Sequence, residues 1–344
     1  MSKSLKERLG RVRRKAVASE ELVREHPFTE ERPLPWVLEA AVKGVDLYSW
    51  AKDNRSWIDR RLVEHGGILF RGFQVGGVDR FEECIAALSD GALEYKERSS
   101  PRSQVAGNIY TSTDYPPDQE IFLHNESSYQ NKFPQKVFFY CVIPAETGGE
   151  TPIADCRSIF ERIDPEVRER FMDKGWMCVR NFGDGFGLPW ESVFQTSDRD
   201  QVAEHCARGD IELEWKEDGR LRTRAVRPTV ARHPKTGELV WCNHATFFHY
   251  TTLAPSIRKG LLAEFSVDDL PTNSYYGDGS PIEPEVLEQL RAAYRAETIP
   301  VPWQKGDVLM LDNLRVAHGR ESFTGARKVV VGMAEPRPWS ELAA

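Results

Sequence analysis

Phe122-Leu123-His124-Asn125-Glu126, with Asp312-Asn313-Leu314-Arg315-Val316-Ala317-His318 far downstream, are the stretches on which the reading of this chain turns. His124 and Glu126 lie two apart, so on an extended strand they project to one face, ~6.5–7 Å apart at Cα. Both then reach one ion. A second imidazole from His318 completes two neutral nitrogens and one carboxylate on one side of a metal and leaves the opposite positions open. That is the facial triad of non-heme Fe(II) and oxygen chemistry. A chain with 8 His and 53 acidic residues contains some H-x-E by chance, so the short motif takes its weight from its surroundings.

Upstream, from Glu94 to Tyr115, the sequence is polar and aromatic, with Arg98-Ser99-Ser100-Pro101-Arg102, Asn108-Ile109-Tyr110-Thr111-Ser112-Thr113 and the Pro116-Pro117 punctuation. A donor-rich loop just before a metal ligand is where a substrate would be held, and a plain solvated loop is the equal alternative. Arg98, Arg102 and Asn108 are the candidates for holding a substrate's carboxylate and polar groups, with Asn243 in Trp241-Cys242-Asn243-His244 for substrate or ligand-supporting contact. His244 reads as a supporting or core histidine. Downstream, Lys136 to Val142 is an apolar strand, and Gly148-Gly149 suits a tight turn into a strand carrying Thr151. Thr151 is a candidate donor to a bound carboxylate, although a β-branched residue in a strand needs no such role.

Further out, Gly67 to Phe73 reads as a buried strand between helical stretches at 47–65 and 78–88. A helix opens at Asp164-Pro165, another at Glu283-Pro284. Strand signals recur at 226–231, 239–244, 298–301, 306–311 and 328–333. Residues 181–222 read as a lid-like insertion. Many strands with helices at the front and in insertions predict a β-rich α+β fold, a sandwich or jelly roll decorated by helices. The expected organisation is a basic lead-in over residues 1–30 and one domain over 31–344.

Composition narrows the class. The net charge of −7 gives no basic face for nucleic acid. No run is long and apolar enough for a membrane span, and the basic N-terminus lacks the apolar core of a secretory signal. The expectation is a cytoplasmic protein. Six scattered cysteines without C-x-x-C spacing read as reduced, buried thiols.

Taken together, these motifs resemble the taurine-dioxygenase/clavaminate-synthase-like family of Fe(II)- and 2-oxoglutarate-dependent oxygenases, in the family's order from Gly67 to Glu335. Within it they resemble the SyrP-like branch associated with amino-acid hydroxylation in peptide natural-product pathways. The resemblance implies a double-stranded β-helix. It implies His124, Glu126 and His318 as iron ligands, Thr151 and Arg327 as holders of 2-oxoglutarate, and O2 as the remaining reactant. Arg327 stands nine residues after His318; that spacing varies in the family, so Arg320 is a rival. Halogenases of the superfamily replace the acidic ligand with Gly or Ala, so Glu126 favours hydroxylation. The expected activity is hydroxylation of an aliphatic C–H of an amino acid or similar small molecule, free or tethered to a peptidyl carrier protein, in antibiotic biosynthesis. Catabolic oxygenation of a sulfonate or betaine, and a non-catalytic jelly-roll binding protein, are the alternatives. A homo-oligomer is compatible with the sequence.

Overall fold

The computed structural model describes residues 22–94, 97, 102–112, 115–183, 185–217 and 219–344. Its logic is clearest in the Lys132–Ile143 strand. Val137, Phe139 and Cys141 enter one buried layer, while Phe138 and Tyr140 between them enter another. This is the period-two alternation of extended chain. Because both faces meet apolar partners, the strand reads in sequence as an unbroken hydrophobic run. Its neighbours repeat the division: Leu309 and Leu311 against Val308 and Met310, and Val329, Val331 and Met333 against Val330 and Ala334.

These strands lie in an eight-stranded sheet ordered Val23–Pro27, Trp36–Ala40, Gly67–Arg71, Val308–Asp312, Lys132–Ile143, Lys328–Pro338, Ile109–Thr111, Gln104–Ala106. Helices Leu47–His65 and Val78–Leu88 cover its outer face. Its inner face packs on a four-stranded sheet ordered Ile299–Val301, Thr151–Asp155, Val316–Arg320, Ile121–His124, which contributes Ile153, Ile299, Val301 and Val316 to the shared core. Two such sheets face to face form the expected jelly roll.

Strand parity then places the chemistry. Ile153 and Val316 face the sandwich interior, whereas Leu123, Ala154 and Ala317 belong to the layer outside it. One residue on from Leu123, or two from Ile153 and Val316, His124, Thr151 and His318 therefore face inward.

Two stretches carry strands that the sequence did not signal. Residues 1–21 lie outside the described residues, and Val23–Pro27, within the expected basic lead-in, is an edge strand paired with Trp36–Ala40. The 181–222 stretch is largely structured around a sheet: Trp176–Phe182, Glu212–Trp215, Leu221–Arg227 and Thr272–Tyr276 form four strands. Phe182, Trp190, Val193, Val202, Cys206 and Leu221 give it a small core of its own. One face of Leu221–Arg227 is wet, and Arg222 and Arg224 on that face mask the strand pattern.

Candidate active site

The Ile121–His124 and Val316–Arg320 strands pair antiparallel with His318 opposite His124, so the sheet register brings two imidazoles together from residues almost two hundred positions apart. Their ring centroids are 4.7 Å apart. Glu126 arrives differently from the strand geometry expected of it. The strand ends at His124 and the chain turns, with Ser127 at φ 56°. Asn313 fixes that turn. Its Oδ1 accepts from the Glu126 N–H at 2.7 Å, and its Nδ2 donates to the carbonyls of Glu126 at 2.9 Å and Pro134 at 2.7 Å. Asn125 Nδ2 donates back to the Asn313 carbonyl at 2.8 Å. A side-chain amide thus replaces the ladder bonds the turn gives up.

The result is a buried cluster in which one ligand atom from each of His124, Glu126 and His318 lies within 4.8 Å of the others, with His318 Nε2 at 3.6 Å from Glu126 Oε2. His124 Nδ1 lies 2.9 Å from the Phe122 carbonyl. A carbonyl can only accept, so Nδ1 carries the proton and Nε2 keeps its lone pair for a metal. Burial, reinforced by His318, pushes the His124 imidazole down to about 3, so the ring is neutral at ordinary pH. Burial works to raise the Glu126 carboxyl, but Arg102 and His318 outweigh it and hold it well below the usual carboxylate range. This donor set fits a divalent transition metal.

The same pocket is lined by Thr151, Arg320 and Arg327. Arg327 Nε donates to the Gly149 carbonyl at 2.9 Å and Nη1 to Ser112 Oγ at 3.4 Å, both neutral oxygens. Gly149 is required here: its φ is +74°, and a Cβ would sit 3.0 Å from Arg327 Cδ. Desolvation, with Arg320 nearby, draws the Arg327 guanidinium down to about 10, leaving it a half-buried cation. Thr151 Oγ1 accepts from Trp303 Nε1 at 3.0 Å, which leaves its own proton to donate. Arg320 is engaged otherwise: its two terminal nitrogens donate to the carbonyls of Tyr115, Pro116 and Gln119 at 3.0, 2.6 and 2.7 Å and pin that loop. Gly319 between His318 and Arg320 allows close strand contact, since a Cβ there would collide with the Ile121 carbonyl.

The remaining candidates divide. Arg98 lies outside the described residues. Arg102 reaches the site but donates to Glu126 Oε2 at 2.8 Å. Asn108 sits in a hairpin turn, its N–H on Glu82 and its side-chain amide on the Ala92 carbonyl, and is not among the residues lining the pocket. Asn243 is buried, its amide bridging the Thr229 carbonyl and the Ala245 N–H, so it holds a turn in place. Asp312 pairs with His233 at 2.8 Å and caps the Leu314 N–H, serving the turn before His318. His244 takes a 2.7 Å bond with Ser128 Oγ behind the ligands, and Phe247 stacks on His124 with centroids 4.5 Å apart. Asn313 and Phe247 were missed by sequence reasoning; only the closeness of Asn313 to His318 hinted at the former. All six cysteines are buried and unpaired.

Comparison with known proteins agrees with this geometry. The family model for taurine catabolism dioxygenase TauD, TfdA family, matches residues 26–334. The chain is 40% identical to the dapdiamide synthesis protein DdaC of Enterobacter agglomerans over 279 residues, 81% of this chain and 85% of that protein. It is 29% identical to a clavaminate synthase-like protein of Arabidopsis thaliana, covering 89% of this chain and 95% of that one. Among solved structures, AAD-2 in complex with Mn(II) and N-oxalylglycine shares the fold at TM-score 0.52 and 14% identity, over 91% of this chain and 96% of that one. PvcB from Pseudomonas aeruginosa does so at 0.50 and 18%, over 93% of each chain. The chain belongs to the TauD, TfdA family and is a dioxygenase dependent on Fe(II) and 2-oxoglutarate.

Proposed function

We propose that this dioxygenase hydroxylates an aliphatic C–H bond of an amino acid or amino-acid-like small molecule, free or tethered to a peptidyl carrier protein, in natural-product biosynthesis. One observation carries the reading: two imidazoles and a carboxylate cluster at a pocket lined by His124, His318 and the cationic Arg327, whose hydrogen bonds go to neutral oxygens. His124, Glu126 and His318 would hold Fe(II). Arg327 would grip the far carboxylate of 2-oxoglutarate through its planar fork, with the Thr151 hydroxyl beside it. Bound together with O2, the metal and co-substrate supply oxidative decarboxylation to succinate and carbon dioxide and the oxidation of a substrate C–H bond.

The chain's own residues orient and shield that chemistry. Phe247 against His124 and Phe139 against His318, at centroid distances of 4.5 and 5.0 Å, wall the ligands with apolar rings. His205, on the Arg199–Arg208 helix, bonds Glu97 at 3.1 Å. This ties the 181–222 insertion to Glu97, five positions before Arg102, and supports reading it as a lid. Residues 31–344 serve as one catalytic domain of a cytoplasmic enzyme that can self-associate. A carboxylate at position 126 favours hydroxylation over halogenation, and the similarity to a dapdiamide synthesis protein supports a biosynthetic setting over sulfonate or betaine catabolism.

The test is anaerobic titration of the protein with Fe(II) and then 2-oxoglutarate, followed through the visible metal-to-ligand charge-transfer band. Wild type develops the band and His124→Ala does not; succinate release over a panel of amino acids, sulfonates and betaines then selects the substrate class. Absence of the band in wild type at saturation overturns the assignment, and succinate release with sulfonates or betaines alone overturns the substrate class.

A further inference from the structure

Arg102 Nη2 meets Glu126 Oε2 at 2.8 Å, and the two side chains are only 6% and 3% exposed. The other carboxylate oxygen, Oε1, accepts from Ser127 Oγ at 3.3 Å. Arg102 therefore grips the oxygen that lies 3.6 Å from His318 Nε2, and protein donors hold both oxygens of the carboxylate. A buried ion pair is a poor stabilising device, because well-packed apolar residues of the same volume do as well or better. Its value here is geometric. Glutamate has one methylene more than aspartate, and with it the freedom to turn both oxygens onto one ion. An ion chelated by both oxygens has one coordination position fewer for anything else.

We propose that Arg102 is a positioning residue that keeps Glu126 a one-oxygen ligand and so preserves the two adjacent positions that 2-oxoglutarate chelates. The inference rests on the oxygenase reading above. It carries a signature that a merely structural arginine lacks, because Arg102 also sets a positive charge beside the metal. Removing it leaves metal affinity intact or higher while weakening co-substrate chelation, two effects of opposite sign.

The experiment measures Mn(II) affinity by calorimetry without co-substrate, and the 2-oxoglutarate concentration for half-maximal charge-transfer absorption with Fe(II), in wild type, Arg102→Met and Arg102→Lys. Arg102→Met is expected to bind Mn(II) at least as tightly as wild type yet to need roughly ten-fold or more 2-oxoglutarate, the scale typical of residues that support a metal ligand. Arg102→Lys falls between, since an ammonium restores the charge without the planar fork. Loss of Mn(II) affinity in Arg102→Met, or an unchanged 2-oxoglutarate requirement, overturns the proposal. Should Arg102→Met not fold, Arg102→Lys decides by the same two readings. A wild type that binds no Mn(II) would instead remove the oxygenase reading, and the inference with it.

Discussion

The two ends of the pocket follow opposite electrostatic plans. At the metal-binding end the charges have partners within the chain: Arg102 and His318 answer Glu126, the Phe122 carbonyl answers His124 Nδ1, and Asn313 ties down the Glu126 main chain. At the far end Arg327 is half-buried among neutral oxygens with a second guanidinium close by. Burying a cation without a counter-charge opposes folding. The fold completes the first end by itself, and leaves the second to be completed by an anion from outside.

The contrast breaks most sharply at Arg327. Arg327→Met is expected to raise the 2-oxoglutarate requirement about a hundred-fold or more, consistent with the loss of a buried charge-assisted bidentate contact. The same variant should melt no lower than wild type without co-substrate, because it removes a charge that has no ion pair among the described residues. Charge-transfer titration and thermal melts with and without 2-oxoglutarate check both halves. A variant that melts far lower yet keeps its co-substrate affinity would place Arg327 in the scaffold.

A smaller effect is expected at the other end from Asn313→Ala, which touches no ligand atom. It strips the Glu126 N–H of its acceptor inside the protein, a loss of roughly 1–3 kcal/mol in stability. It also frees the turn that aims the carboxylate, weakening metal binding roughly ten- to hundred-fold. Here stability and metal affinity fall together, whereas at Arg327 stability and co-substrate affinity part company. Chemical denaturation beside Mn(II) calorimetry separates the two patterns.

How much of this was legible in the sequence follows from where the information lies. Strands buried on both faces announce themselves as apolar runs, so the sandwich was readable from 136–142, 306–311 and 328–333. His124 and His318 were readable because a strand converts sequence parity into direction. Glu126 joins the two histidines as expected from its place beside His124, but by a turn rather than along the strand, because that turn depends on an amide from Asn313 that no local pattern encodes. Arg320 and Arg327 could not be ranked by spacing; three loop carbonyls, brought by tertiary structure, engage the former. Asn243 was a candidate from its place beside His244, and the turn its amide holds depends on a Thr229 carbonyl that no local spacing signals. The sheet within 176–227 was hidden because Leu221–Arg227 alternates the solvent-facing Arg222 and Arg224 with the small buried Thr223 and Ala225, leaving little apolar signal.

The finest distinction between the two ends is in their response to acid. The His124 ring titrates near 3 in the fold against 6.5 ordinarily, and burial likewise draws His249 down to about 4. Between those values and 6.5 the unfolded chain takes up protons that the folded chain refuses, so stability falls as pH drops through this window. Glu126 acts with the same sign further down: its stabilising contribution is present above the ordinary 4.5 and is lost as pH falls through its depressed folded value. Arg327, drawn to about 10, changes charge only in alkali and is silent here. The melting temperature should therefore climb from pH 4.5 to about 6.5 and level off above it, each neutral-buried histidine adding at most about 1.4 kcal/mol per pH unit. His249→Asn should shallow the climb by its own share and leave the 2-oxoglutarate titration unchanged. His124→Asn should shallow the climb and abolish metal binding as well. If His124→Asn leaves the slope unchanged, the acid sensitivity arises outside the ligand end, and the assignment of its chemistry to a neutral, buried His124 fails with it.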